Sequence, residues 1–332
     1  MMARIAKNPK NVYDKKQLKL QDQKMSGWAI NIPVFHASSK GGFPVSIAQL
    51  FQTKSTVFSF EVFPPKRTSP IETIYQTLDE LQVLHPDFIS VTYGAGGNLA
   101  DNSTCEIASI IKNQYHIEPL AHLTCVNSTK EEILEVLGRL KQNGIENILA
   151  LRGDISPDRP PKTDFAHASD LISFVKQQGG FHVSGACYPE GHTECDSLIE
   201  DVLNLRKKVD AGAEHLVSQL FFDNDSFYRF VERARIAGIQ VPIEAGIMPV
   251  VNKKQIERMV SLCGASLPPK FTKVMSRYEH SPEALRDAGI AYAIDQIVDL
   301  VSNNVQGIHL YTMNNPYVAR RISESVSSLL QA

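Results

Sequence analysis

From residue 57 to its C-terminus the chain alternates eight times between a short β-rich run and a segment of helical period, and nothing else in it restricts the fold as tightly. The β-rich runs are Val57–Pro64, Phe88–Gly94, Glu118–Cys125, Asn147–Gly153, His182–Glu190, His215–Phe222, Pro242–Val250 and Gly307–Met313. Between them apolar residues recur at helical spacing, as Ile133, Leu134, Leu137 and Leu140 do in 129–141, and Leu285, Ala288, Tyr292, Ile297 and Leu300 in 281–302. Ser69-Pro70, Ser128 or Thr129 before Glu131-Glu132, Asn224-Asp225 and Ser281-Pro282-Glu283 mark helix starts. Each supplies a side-chain acceptor for free backbone N–H groups or a proline with its φ already set. Strands separated by helices pair in parallel. Eight such units over 57–329 fit one closed (β/α)8 TIM barrel of the α/β class, whereas an open doubly wound sheet usually stops sooner. Two domains are the alternative at 332 residues, but no linker or internal repeat divides the alternation. Residues 267–275 are expected to form an inserted short helix. Residues 45–53 are expected to form a small helix closing the barrel's N-terminal side, with Val45, Leu50 and Phe51 inward.

The reading therefore has a barrel over 45–332 and a basic, partly disordered N-terminal extension over 1–44. Residues 1–24 hold Arg4, Lys7, Lys10, Lys15, Lys16, Lys19 and Lys24 against Asp14 and Asp22. No apolar core follows these cations, so the segment does not read as a secretory leader; it reads as a solvated, frayed arm. The net charge of −2 gives no pull toward nucleic acid, and no apolar run is long enough for a membrane span. The five cysteines are widely spaced with no CxxC, which points to small buried thiols in a reducing cytoplasm and to no metal site.

Barrels of this kind place their chemistry where the strands end. Polar residues collect there: Glu61, Thr92-Tyr93, His122, Arg152 with Asp154, Tyr188 with Glu190 and His192, Gln219, and Tyr311 with Asn314. In the first strand, alternation puts Val57, Ser59, Glu61 and Phe63 on one face and Phe58, Phe60 and Val62 on the other, against helices. Glu61 then sits inside the barrel mouth, where burial is expected to raise its pKa and suit it to general acid work. A buried Glu paired with a structural Lys or Arg is the other reading of that position. Arg152 and Asp154 share a face by the same alternation, either as a structural pair or as a phosphate or flavin contact. Asp201, Asn204 and Lys208 form one polar stripe on a helix, with Lys207 adjacent. By itself that stripe reads as a solvated face, and His122 by itself as a satisfied core histidine.

Gly94-Ala-Gly96-Gly97-Asn98-Leu99 begins like a dinucleotide fingerprint, but Leu99 stands in the last glycine's place, and no Walker A, GxSxG or HExxH motif occurs. The strand ends nevertheless carry FSFEVFPPK (58–66), SVTYGAGG (90–97), AHLTC (121–125), LALRGD (149–154), YPEGH (188–192), NLRKKVDAGA (204–213), SQLFFD (218–223), GIMPV (246–250) and YTMNN (311–315). In this order they closely resemble the bacterial flavin-dependent 5,10-methylenetetrahydrofolate reductases. The resemblance implies a cytoplasmic enzyme of one-carbon metabolism and methionine biosynthesis, carrying non-covalent FAD. It also implies ping-pong hydride transfer from NADH or NADPH to 5,10-methylenetetrahydrofolate, giving 5-methyltetrahydrofolate. A homo-oligomer is implied as well, and a partner protein remains open as electron donor.

Residue by residue, the resemblance implies Glu61 as general acid and Asp154 as the carboxylate near flavin and pterin. For FAD it implies Thr92, Tyr93, Ala95, His122, Leu151, Arg152, Gly153, Asp154, Ala168, Tyr188, His192, Asp201, Asn204, Lys207 and Lys208, with His122, Arg152 and the two lysines suited to the pyrophosphate. Gln219, Gln255, Asp154 and Tyr311 are the implied substrate contacts. Two positions depart from the family pattern: Asn315 stands where some members have arginine, and Met259 where some have phenylalanine. Two rival readings are a proline-dehydrogenase-like flavin barrel, suggested by Tyr317-Val-Ala-Arg320-Arg321, and a flavin-free pterin-barrel methyltransferase or binding protein.

Overall fold

The computed structural model describes residues 46–65, 71–93, 103–155, 160–252, 254–255 and 263–331. The basic segment 1–44, Val45, Ala95 and Met259 lie outside the described residues. Eight parallel strands pair in chain order: β1 (Val57–Val62), β2 (Phe88–Val91), β3 (Glu118–Thr124), β4 (Asn147–Leu151), β5 (His182–Cys187), β6 (His215–Ser218), β7 (Ile243–Ile247) and β8 (Gly307–Tyr311). β8 pairs with β1, with Ser59 opposite His309 and Glu61 opposite Tyr311, and so closes the barrel.

Helices follow the strands: α2 (Glu72–Gln82), α3 (Ser103–Asn113), α4 (Lys130–Gln142), α5 (Ala168–Gln178), α6 (Leu198–Asp210), α7 (Asn224–Ile236), then α8 (Pro269–Tyr278) and α9 (Pro282–Ser302), and α10 (Pro316–Leu330) after β8. α4 starts where its acceptors predict. The Thr129 hydroxyl accepts from Glu132 N–H, and the Glu132 carboxylate accepts from Thr129 N–H. α8 is the expected insertion, running 269–278 rather than 267–275. Asn315, the departure from the family pattern, caps α10 by accepting from Val318 N–H at 3.2 Å.

α1 (Ile47–Thr53) packs beneath the barrel. Its Ile47, with the partly buried Leu50 and Phe51, joins Val57, Phe88, Leu120, Leu149 and Val217 in one cluster. Outside the strands, Phe58, Phe60 and Val62 of β1 meet Ile74, Leu78 and Leu81 of α2, the face that strand alternation assigns to the helices. Full burial of one such side chain contributes about 1.5–3 kcal/mol, so the two shells hold the strand ends in place. β5 and β6 end earlier than their apolar runs suggest. Beyond Ser218, Leu220 and Phe222 leave the sheet to pack with Met248, Val250, Phe271 and Met275 over one side of the rim.

Candidate active site

A cavity of about 980 Å³ opens among the C-terminal ends of β2 to β5. Thr92 and Tyr93 reach it from β2, His122 from β3, and Leu151, Arg152, Gly153 and Asp154 from β4. Ala168 opens α5 on its wall, Tyr188 and His192 follow β5, and Asp201, Asn204, Lys207 and Lys208 line it from α6. The helical stripe is thus not a solvated face; Asp201 is buried. Thr124, Asn127, His167, Ser169 and Glu194 line the same cavity, although the sequence reading passed over them. Four of the five end or follow a strand or precede a helix, and Ser169 lies in the first turn of α5, which is the signal that could have found them.

Gly153 adopts φ +86°, a left-handed conformation that breaks strand alternation. Arg152 and Asp154 both line the cavity, but on a turn rather than on the strand, since β4 ends at Leu151. Arg152 grips Glu194 through two guanidinium nitrogens, at 2.6 and 2.7 Å, while Asp154 stays exposed. Lys208 is half-buried; its Nζ donates to Ala186 O at 2.8 Å and lies 5.6 Å from the centre of the Tyr188 ring. Burial pushes its pKa down, against the pull of Cys187 and Asp201. Lys207 donates to Asn204 Oδ1 at 2.9 Å. Tyr188 meets His192 edge-on at 4.7 Å. The Asn127 Oδ1 is buried without a hydrogen-bond partner.

Glu61 lies inside the barrel mouth, its side chain 16% exposed. Its Oε2 is 3.4 Å from His309 Nε2, 3.5 Å from His122 Nε2 and 3.4 Å from Ser90 Oγ. No lysine or arginine pairs with it among the described residues. Burial is the largest single influence and pushes the carboxyl up. The His309 hydrogen bond, the charges of His122 and His309, and the Ser90 hydroxyl together outweigh it and hold the pKa below the ordinary value. The expectation of a raised pKa is thereby corrected, because it counted burial and could not see the histidines. Burial pushes His122 down to about 4, against the pull of Glu61. At neutral pH that imidazole is uncharged. His122 faces Glu61 and also lines the cavity it shares with Arg152 and the two lysines.

The remaining candidates sit around the rim. Thr312 Oγ1 donates to Glu61 O at 2.6 Å, and the Asn314 carboxamide donates to Phe63 O and accepts from Phe63 N–H, so the turn after β8 clasps the end of β1. Tyr311 donates its hydroxyl to Ser218 O at 2.7 Å. Gln219 accepts from Leu220 N–H at 2.9 Å, and Gln255 accepts from Val251 N–H at 3.1 Å while its amide nitrogen faces Pro249 O. Gln219, Gln255 and Tyr311 lie outside the cavity's wall, each engaged with backbone.

The sequence profile described as methylenetetrahydrofolate reductase matches residues 46–327, nearly all of the barrel. The chain belongs to that family. A 5,10-methylenetetrahydrofolate reductase of Pectobacterium carotovorum subsp. carotovorum is 36% identical over 292 residues, covering 88% of this chain and 96% of that protein. Methylenetetrahydrofolate reductase (NADH) 1 of Arabidopsis thaliana is 38% identical over 288 residues, but this chain spans only 48% of its length. Among solved structures, an uncharacterized protein from Clostridium thermocellum that binds two copies of 5-methyl-5,6,7,8-tetrahydrofolic acid superposes with a TM-score of 0.58. It covers 85% of this chain at 13% identity, a likeness of fold alone. No helix among the described residues is long and apolar enough to cross a membrane.

Proposed function

We propose that this enzyme of the methylenetetrahydrofolate reductase family reduces 5,10-methylenetetrahydrofolate to 5-methyltetrahydrofolate at the barrel mouth, using non-covalent FAD and a reduced nicotinamide. The observation that carries the reading is one cavity uniting the polar strand ends of β2 to β5 with the α6 stripe, beside a carboxyl held among histidines. The residues present fit FAD. The volume of about 980 Å³ suits a large dinucleotide. Lys208 is a half-buried cation with no carboxylate in ion-pair contact among the described residues, so an anionic pyrophosphate offsets its desolvation. Glu194 is 54% exposed, and an exposed ion pair is weak enough for Arg152 to exchange it for phosphate. Asn127 Oδ1 offers a buried acceptor. Arg152, Lys207 and Lys208 would hold the pyrophosphate, and Tyr188 and His192 would wall the ribityl side. Bound there, FAD supplies two-electron transfer between nicotinamide and folate.

The chain's own task is proton supply and charge placement. The five-membered ring of the folate opens only when a ring nitrogen takes a proton, and Glu61 is the acidic group at the mouth suited to give it. Asp154, an exposed carboxylate on the cavity wall, would steady the cation that ring opening leaves. Substrate contact by Gln219, Gln255 or Tyr311 would require each to exchange a backbone partner for the ligand.

Glu61→Gln keeps the shape and removes the acid. It should slow folate reduction by about 10²–10⁴-fold, while NADH or NADPH still bleaches the bound flavin in an anaerobic titration. Equal loss of both half-reactions would make Glu61 structural. Protein that stays colourless with added FAD would overturn the flavin reading itself.

A further inference from the structure

Beneath Glu61 the barrel interior is polar where branched apolar side chains usually fill it. Glu244 of β7 and His309 of β8 are 0% exposed, with Ser59, His215 and Ser184 buried around them. No lysine or arginine pairs with Glu244 among the described residues. Glu244 Oε1 lies 2.6 Å from Ser59 Oγ, and that oxygen lies 2.6 Å from His309 Nδ1. The other ring nitrogen of His309 is the one that faces Glu61 at 3.4 Å. We propose that Glu244 is a positioning residue which, through Ser59 and His309, controls whether Glu61 holds its proton. The proposal rests on Glu61 being the general acid.

Counting hydrogens carries the case. Ser59 has one hydroxyl proton and two close neighbours, so it donates to one and accepts from the other. When it donates to Glu244, that carboxyl is ionised and His309 donates Nδ1–H to Ser59. A neutral His309 then presents a bare Nε2, which a protonated Glu61 meets. When Ser59 donates to His309 Nδ1, Glu244 is protonated and donates to Ser59. The neutral imidazole then carries Nε2–H toward an ionised Glu61. Both arrangements hold the same number of protons.

One concerted shift connects them. The Glu244 proton passes to Ser59 Oγ, the Ser59 proton to His309 Nδ1, and the His309 Nε2 proton to Glu61. Three bonds to hydrogen break and three form, one negative charge moves from Glu61 to Glu244, and no electron changes its owner. An imidazolium at His309 between two carboxylates is the third residence of the same proton. The other groups facing this path are His122, Ser90 and Tyr311 at Glu61, and His215 at Glu244. Glu244 Oε2 is 3.4 Å from His215 Nε2, and neither atom completes a hydrogen bond; Ser184 holds the other nitrogen of that ring at 3.1 Å. The Glu61 carboxyl thus gains a proton from inside the barrel, with no water needed at the mouth.

The test uses the full chain loaded with FAD and reads each half-reaction across pH by rapid mixing. Glu244→Gln should slow folate reduction about tenfold at neutral pH and move its pH limb about one unit toward acid, since a unit of pKa is a factor of ten. Flavin reduction by NADH should not change. Ser59→Ala, which leaves both carboxyls in place, should do the same, and Ser59→Thr should restore the limb. In the ligand-free chain, the infrared band of protonated carboxyl should shift its titration in both variants. Should Glu244→Gln not fold, Ser59→Ala decides. An unmoved pH limb in Ser59→Ala, or equal slowing of both half-reactions, overturns the relay while leaving Glu61 as the acid. Folate reduction surviving in Glu61→Gln would remove the acid itself, a distinct failure.

Discussion

His122 shows how far one side chain can be read before its neighbours are known. From β3 alone it is a core histidine; in the barrel its Nε2 faces Glu61 at 3.5 Å. Its folded pKa of about 4 lies below the ordinary 6.5, so the native state binds fewer protons than the unfolded chain between those values. Its contribution to stability is complete above about 6.5 and is lost progressively as pH falls toward 4, at about 1.4 kcal/mol per unit. Glu61, also depressed, contributes above the ordinary carboxylate value and loses that contribution at lower pH. Urea unfolding of His122→Asn should therefore show a flatter stability profile between pH 6.5 and 4 than the parent chain; an unchanged slope would mean the imidazole is not held neutral. Strand alternation turned Glu61 inward, but its proton affinity depends on His122 and on His309, 248 residues away.

Helices and strands were legible to different degrees. α4 begins at Thr129, whose side chain caps it, and α9 at Pro282, whose φ is already set, because both signals are local chemistry. β5 and β6 were read too long, since an apolar run looks the same whether it pairs in a sheet or packs over the rim, as Leu220 and Phe222 do. Gly289, buried within the 21-residue α9, makes the same point at a contact. In an exposed helix interior, alanine would gain about 1 kcal/mol over glycine. Here an added Cβ would lie 1.7 Å from Val250 O, so glycine is what lets α9 approach the loop after β7. Gly289→Ala should destabilise by about 1–3 kcal/mol in denaturant unfolding; a gain would mean the backbone yields there.

At the scale of the molecule, the count of eight units forces closure, because a ring of strands leaves no unpaired edge. α1 supplies the floor, and the Phe51 ring packs tilted against His215, centres 4.7 Å apart, beneath the polar interior. The basic segment before α1 is a separate matter, and we propose that the barrel folds without it. A chain starting at residue 46 should keep its thermal midpoint and its FAD binding in calorimetry; a clear drop in either would give that segment a structural role. Periodicity, capping and turn chemistry act over a few residues, so the sequence alone determined the barrel, the floor helix and the rim on which polar groups gather. Which groups meet there was left to the tertiary structure: Glu194 for Arg152, two histidines for Glu61, and Glu244 beneath them through Ser59. Such pairings depend on register and closure between segments far apart in the chain, and no local pattern encodes them.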